Sequence, residues 1–171
     1  RLDLKQNPLY ESNEIAYFKT HYYGGIKKYQ WVAIPLSLHG VVILSNGEKH
    51  EICIGEDEND PVFYVTDLLP HLAQDQMKRA ANEIIKGEEL NILVGSLPLE
   101  GSEKNAVKMQ VLKLLNDKYG WSEKDFLSAE LEAVPALKAK DVGLDRSMIG
   151  AYGHDDRVCS YSAIQAMIEL E

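Results

Sequence analysis

Residues 29–54 are the most strand-like part of the chain, because β-branched and aromatic residues occur there at high density. The segment contains the pair Asn46-Gly47, which is favoured in the two-residue turn of a hairpin. The pattern therefore predicts two antiparallel strands that are joined at Gly47. Pro35 has no N–H to donate to a strand ladder, so it predicts an edge, a bulge or a break within the first strand.

The spacing of apolar residues changes after a further strand candidate at residues 61–65. Residues 66–87 contain many helix formers and end on a glycine, and they predict a short helix followed by a second one. The division falls near Pro70, because proline is tolerated only in the first turn of a helix. A buried strand is predicted over residues 89–98.

The clearest helix is predicted within residues 101–121, with Ser102 as its N-cap and Gly120 as its C-cap. One face of this helix carries four apolar residues, namely Val107, Val111, Leu114 and Leu115. After it, Ser122 and Asp125 have the spacing of a capping box, and the following residues alternate like a strand.

The end of the chain reads as a short strand at residues 147–152, a corner at 153–157 and a helix from residue 160 onward. Hairpin strands with interspersed helices are typical of a mixed α+β fold.

The chain has 171 residues, 45% of them apolar and 26% charged, as expected for one globular domain or one domain plus part of another. Its formal net charge of -9 repels phosphate backbones, which argues against a nucleic-acid partner. No apolar run approaches the roughly 20 residues of a membrane span, so no membrane association is expected. Cys53 and Cys159 lie far apart and no signal peptide is visible, which favours a reducing cytoplasm and buried free thiols.

Candidate chemistry is concentrated at Asp155-Asp156, which follow the last predicted strand and precede a helix. Open α/β sheets place ligands at such corners, and a site with two metal ions about 3.5 to 4 Å apart needs a carboxylate that spans both. Alternatively, adjacent acids at a helix start act only as caps that the helix dipole favours. His154 beside them is either a metal ligand or a surface residue.

The segment GHDDRVCSYSAIQAMIE, residues 153–169, closely resembles the metal-binding corner of the aspartyl aminopeptidase and vacuolar aminopeptidase family of dinuclear zinc metallopeptidases. Similar stretches of that family match residues 1–11, 19–42, 70–73 and 120–131. The resemblance implies that Asp155 bridges two zinc ions, although other divalent metals suit the same ligands. It implies that Asp156 either contacts and orients this ligand without binding the metal itself, or sets the turn. Related enzymes carry asparagine in place of Asp156.

The resemblance also implies a domain organisation and an assembly. Residues 1–5 would be an edge of the α/β peptidase domain, and 148–171 its strand-corner-helix segment. Residues 6–147 would form an inserted dimerisation domain that is β-rich, barrel-like or a sandwich, with several helices. Dimers would assemble into a homo-oligomeric dodecamer. His71 would reach into the neighbouring subunit's active site and contact the peptide substrate; otherwise it is a helix first-turn histidine bonded to backbone.

The implied activity is removal of N-terminal residues from peptides by a cytoplasmic metalloaminopeptidase. The family's other metal ligands and its general base are not found in this chain, which opens without a methionine and is interpreted as an excised segment that is inactive alone. The competing hypothesis is a stand-alone, non-catalytic protein-interaction module whose acidic corner is a helix cap.

Overall fold

The computed structural model describes residues 1–170, and the chain forms two compact units, residues 1–136 and residues from 137 onward. The larger unit contains an antiparallel sheet with the strand order β4-β3-β6-β1-β2-β5. Its strands are β1 (Leu2–Ser12), β2 (Ile15–Tyr22), β3 (Leu36–Ile43), β4 (Lys49–Ile54), β5 (Ile92–Gly95) and β6 (Glu130–Pro135). The predicted α+β class is confirmed, whereas the predicted boundaries after residues 5 and 147 stay predictions.

The short extended segment that contains Phe63 and Tyr64 gives the larger unit its barrel-like form. Phe63 and Leu36 of β3 exchange two backbone hydrogen bonds of 2.9 and 2.8 Å, and Leu93 N of β5 donates to Tyr64 O at 2.8 Å. The segment therefore connects β3 with the edge strand β5 at the other end of the sheet. The strand predicted at residues 61–65 is reduced to these bridging residues.

The core of the larger unit lies on one face of the sheet, against helix α1 (Ala106–Tyr119). Alternate residues of each strand point to this face, as the two-residue period of a strand requires. The buried sheet residues include Leu2, Leu36, Leu38, Val42, Ile52, Ile54, Leu131 and Ala133. From α1, Val107 and Val111 are buried as predicted, but Leu114 is 56% exposed.

The hairpin predicted around Asn46-Gly47 is confirmed, with Ile43 of β3 paired to Lys49 of β4. Gly47 has φ = 86°, which suits glycine, and its N–H donates to Leu44 O at 2.8 Å. Pro35 directly precedes β3, so it marks the start of the strand.

The predicted cap of α1 is wrong. The helix begins at Ala106, and the Ser102 hydroxyl donates to Lys104 O at 3.1 Å instead. The backbone N–H of Lys108 donates to a carboxylate oxygen of Glu11, 2.9 Å away on β1. A distant strand thus satisfies a donor of the first turn. Gly120 ends the helix with φ = 71°, as predicted.

The helices predicted over residues 66–87 are also wrong. This segment forms turns with isolated bonds such as Ala73 N to Leu69 O, 3.0 Å, and Met77 N to Ala73 O, 2.8 Å, before a 3₁₀ turn at Gly87–Glu89. Most of its side chains are exposed, and only Ala73 and Ile85 are buried, so little apolar surface is packed. Short helices without such packing are marginal in water.

The capping box at Ser122 and Asp125 is confirmed, and it opens a 3₁₀ helix, Glu123–Ser128, that leads into β6. The Ser122 N–H and hydroxyl both donate to Asp125 Oδ2 at 2.7 Å. These hydrogen bonds lower the pKa of Asp125, and the bond from the hydroxyl has the largest effect.

The smaller unit consists of the hairpin β7 (Lys140–Val142) and β8 (Met148–Gly150), followed by helix α2 (His154–Ile168). No residue from 137 to 170 is buried. Cys159 of α2 and Cys53 of β4 are both exposed, so the prediction of buried thiols is wrong. Cys53 alternates with buried Ile52 and Ile54 on a strand and therefore faces outward. In the described part of the chain, no helix is long and apolar enough to cross a bilayer.

Candidate functional site

Asp155 and Asp156 lie at the predicted corner between a strand and a helix. β8 ends at Gly150, Gly153 turns the chain with φ = 84°, and α2 begins at His154, earlier than predicted. Asp155 keeps an extended conformation at φ = -88° and ψ = 119°, and the peptide bond between the two aspartates is cis. Both side chains are exposed.

The two carboxyl groups interact with each other. In its protonated form the Asp155 carboxyl donates a hydrogen bond to the Asp156 carboxylate, and this bond, together with the negative charge of Asp156, raises the pKa of Asp155. A proton on Asp155 therefore competes with a cation for the same carboxylate oxygens. Both acids stand in the first turn of α2, where the helix dipole also favours negative charge.

His154 is held by the strand that precedes the corner. Its Nε2 lies 3.0 Å from the backbone oxygen of Ile149, which accepts a hydrogen bond from the ring. This hydrogen bond engages Nε2 and leaves Nδ1 as the ring nitrogen that could bind a metal, so it does not decide between the two interpretations of His154.

The described residues do not form a complete metal centre. Across residues 1–170, no three His, Cys, Asp or Glu side chains are arranged to hold an ion. Catalytic zinc sites take three protein ligands and a water molecule. Asp155 therefore offers one carboxylate, and zinc does not fit this chain's residues alone.

His71 lies in the larger unit, at a turn of the exposed segment 66–78. The alternative of a backbone-bonded histidine in a helix is wrong, because the segment is not helical and His71 has no hydrogen bond to residues 1–170. Its neighbours Leu69 and Leu72 are 53% and 67% exposed. The imidazole of His71 thus lies between exposed apolar side chains.

A polar cluster on β3 was not predicted from the sequence. The Ser37 hydroxyl donates to Glu56 Oε1 at 2.9 Å, and His39 Nε2 lies 3.1 Å from the same oxygen. Ser37 is fully buried and hydrogen-bonds to the acid, so it is not exposed as a nucleophile would be. The cluster ties the acidic turn after β4 to β3; the i, i+2 spacing of Ser37 and His39 was the available signal.

Comparisons with known proteins connect these features to one family. The profile described as "Aminopeptidase I zinc metalloprotease (M18)" matches residues 1–171. A Clostridium acetobutylicum protein named "Probable M18 family aminopeptidase 1" is 58% identical over 172 residues, covering 100% of this chain and 37% of its own length. The "Aspartyl aminopeptidase" of Caenorhabditis elegans is 26% identical over 163 residues, 86% of this chain and 34% of that protein.

A solved structure shares the fold. The crystal structure of an M18 family aminopeptidase from Thermotoga maritima superposes with a TM-score of 0.94 at 54% identity and covers all of this chain. The chain spans only 38% of that structure's length. Since the family profile matches every residue from 1 to 171, this chain belongs to the M18 family of zinc metalloproteases related to aminopeptidase I.

Proposed function

We propose that this chain is part of a zinc-dependent aminopeptidase that hydrolyses N-terminal residues from peptides. The observation that carries the proposal is the exposed carboxylate pair Asp155 and Asp156 at a strand-to-helix corner, in a chain of a zinc metalloprotease family. The alternative of a stand-alone, non-catalytic interaction module has no specific observation in its favour.

In the intact protein, Asp155 would hold the metal as the bridging carboxylate, and Asp156 would shape the corner around it. The bound zinc would supply Lewis acidity and an activated water. The remaining ligands and the general base come from outside residues 1–170, because these contain no complete metal cluster. The chain alone is therefore inactive in this proposal. The exposed, unpaired Cys53 and Cys159 are compatible with action in the reducing cytoplasm.

The intact protein is expected to release the N-terminal residue from an aminoacyl p-nitroanilide and to contain two metal ions per active site. Absorbance assays and metal analysis by mass spectrometry measure the two quantities on the same sample. A blocked N-acetyl substrate is the control, because an aminopeptidase needs the free terminus. A protein that cleaves neither substrate, or that holds no metal, contradicts the proposal.

The larger unit is proposed to mediate self-association into a dimer within a larger homo-oligomer. Segment 66–78 exposes four large apolar side chains, and contiguous apolar surface of this kind is typical of interaction sites. They are Leu68, Leu69, Leu72 and Met77, between 53% and 67% exposed.

Replacing both Leu69 and Leu72 by glutamate is expected to weaken self-association, because each new charge must be desolvated at the contact. Sedimentation velocity should show a shift toward smaller species. Leu97→Glu is the matched control, since Leu97 is 75% exposed in the same unit but lies outside the segment. If the two variants show equal shifts in sedimentation, or neither shows one, the subunit contact does not lie at segment 66–78.

His71 is proposed to contact the substrate in the neighbouring subunit's active site, where an imidazole can stabilise charge on the scissile carbonyl. His71→Ala is expected to lower kcat by about 100-fold, as for loss of one such donor, with unchanged metal content. His21→Ala, another exposed histidine, is the control. Mixed assembly of His71→Ala and Asp155→Asn subunits should restore partial activity, because one site then receives both residues; no recovery contradicts action between subunits.

A further inference from the structure

An apolar cavity of about 170 Å³ lies in the larger unit, between α1 and the core face of the sheet. α1 buries side chains fully only in its first half, at Val107 and Val111, whereas Leu115 and Tyr119 of its second half are only partly buried against the core. Further along α1, Leu115 is half-buried and Leu114 is 56% exposed. The helix thus leaves a gap above the sheet.

The wall of this cavity is largely aromatic. Phe18, Phe63, Tyr119 and Trp121 line it, and the rings of Tyr119 and Trp121 stack with centroids 5.0 Å apart. The one polar atom of the indole, Nε1, donates to His50 Nδ1 at 3.3 Å. The rings therefore present carbon atoms to the cavity, a surface that favours an apolar or aromatic guest.

Lys118 is the one charged residue among those that line the cavity. Its Nζ lies 5.0 Å from the centroid of the Tyr119 ring, and a hydrogen bond with Tyr119 raises the pKa of Lys118, which keeps it protonated. The negative charge of Asp60, which is not among the residues that line the cavity, also raises the pKa of Lys118. Among its lining residues, the cavity thus combines a largely apolar interior with one positive charge.

We infer that this cavity binds a small carboxylate with an aromatic body, the ring lying between α1 and the sheet and the carboxylate meeting Lys118. An engineered apolar cavity of about 150 Å³ is large enough to bind benzene, so a single ring fits a space of this size. A single ammonium suits a monovalent anion better than a phosphate, which takes several donors. This inference does not depend on the proposed peptidase activity.

The test titrates the intact protein with 3-phenylpropionate and with its neutral isostere 3-phenylpropanamide, followed by calorimetry and by NMR shifts of α1. Both probes should bind saturably, and the carboxylate should bind more tightly. Lys118→Gln should weaken only the carboxylate, roughly two- to fivefold as for an exposed ion pair. Leu114→Trp should block both probes, and the exposed position of Leu114 keeps the fold intact.

Three outcomes overturn the inference. Absence of saturable binding up to millimolar probe means that the cavity is closed or covered by another part of the assembly. Equal affinity for both probes removes the role of Lys118. Binding that survives Leu114→Trp unchanged places the ligand at another site.

Discussion

Asp155→Asn in the intact protein is expected to remove peptidase activity and to reduce the metal content by one ion per site. An asparagine side chain is neutral and has one ligating oxygen, so it cannot span two cations as a carboxylate does. Residues that only support metal ligands alter affinity or activity by about 10- to 100-fold, so loss of a bridging ligand should lower kcat/KM by more than about 100-fold. Steady-state kinetics and metal analysis on the same preparation measure both effects.

Asp156→Asn is the matched control at the corner. Asparagine keeps the size of aspartate and one side-chain oxygen at the corner, so activity should stay within about tenfold of the unchanged protein. Asp145→Asn tests the removal of a nearby surface charge in the same unit. If Asp155→Asn keeps its metal and its activity while remaining folded, the bridging role of Asp155 is wrong and the corner is only a helix cap.

Features fixed by neighbouring residues were predictable from the sequence. The turn at Gly47, the end of α1 at Gly120 and the capping box at Ser122 and Asp125 each depend on contacts within about five residues. The cap of α1 was not predictable, because it comes from Glu11, 97 positions before Lys108.

Two larger errors arose where the tertiary context decides the structure. The propensity of residues 66–87 favours helix, but most of their side chains are exposed and too few are packed to stabilise one. Strands β1 and β2 were missed, although the β-branched and aromatic residues of Ile15–Tyr22 were a usable signal. Asn13 and Glu14 between them both have positive φ, 50° and 60°, as a primed hairpin turn requires.

The candidate site was predictable only in part for the same reason. Asp155 and Asp156 were found because the corner is a continuous stretch of sequence, and the structure gives it the expected strand and helix. A metal centre instead gathers ligands from distant positions, and residues 1–170 contain no such cluster. The local motif therefore predicts one ligand and its orientation at a helix start, not a complete centre.

Gly40→Ala should be among the most destabilising single substitutions in the larger unit. Gly40 lies in β3 opposite Leu131 of β6, with φ = 140°, and an added Cβ would stand 1.9 Å from the backbone oxygen of Glu130. The backbones of β3 and β6 must therefore move apart, and both are interior strands of the sheet. We expect the free energy of unfolding to fall by roughly 3 to 5 kcal/mol, from overpacking plus backbone strain.

Urea denaturation followed by circular dichroism measures this loss, and Gly47→Ala separates its two causes. Gly47 also has a positive φ, 86°, but no atom lies within 4 Å of an added Cβ, so this variant carries the conformational cost alone, about 1 to 2 kcal/mol. A single domain has only about 5 to 15 kcal/mol of stability, so Gly40→Ala should remove a large fraction of it. Equal losses in both variants would mean that β3 and β6 separate easily at Gly40, and that the close approach of these strands does not hold the sheet together.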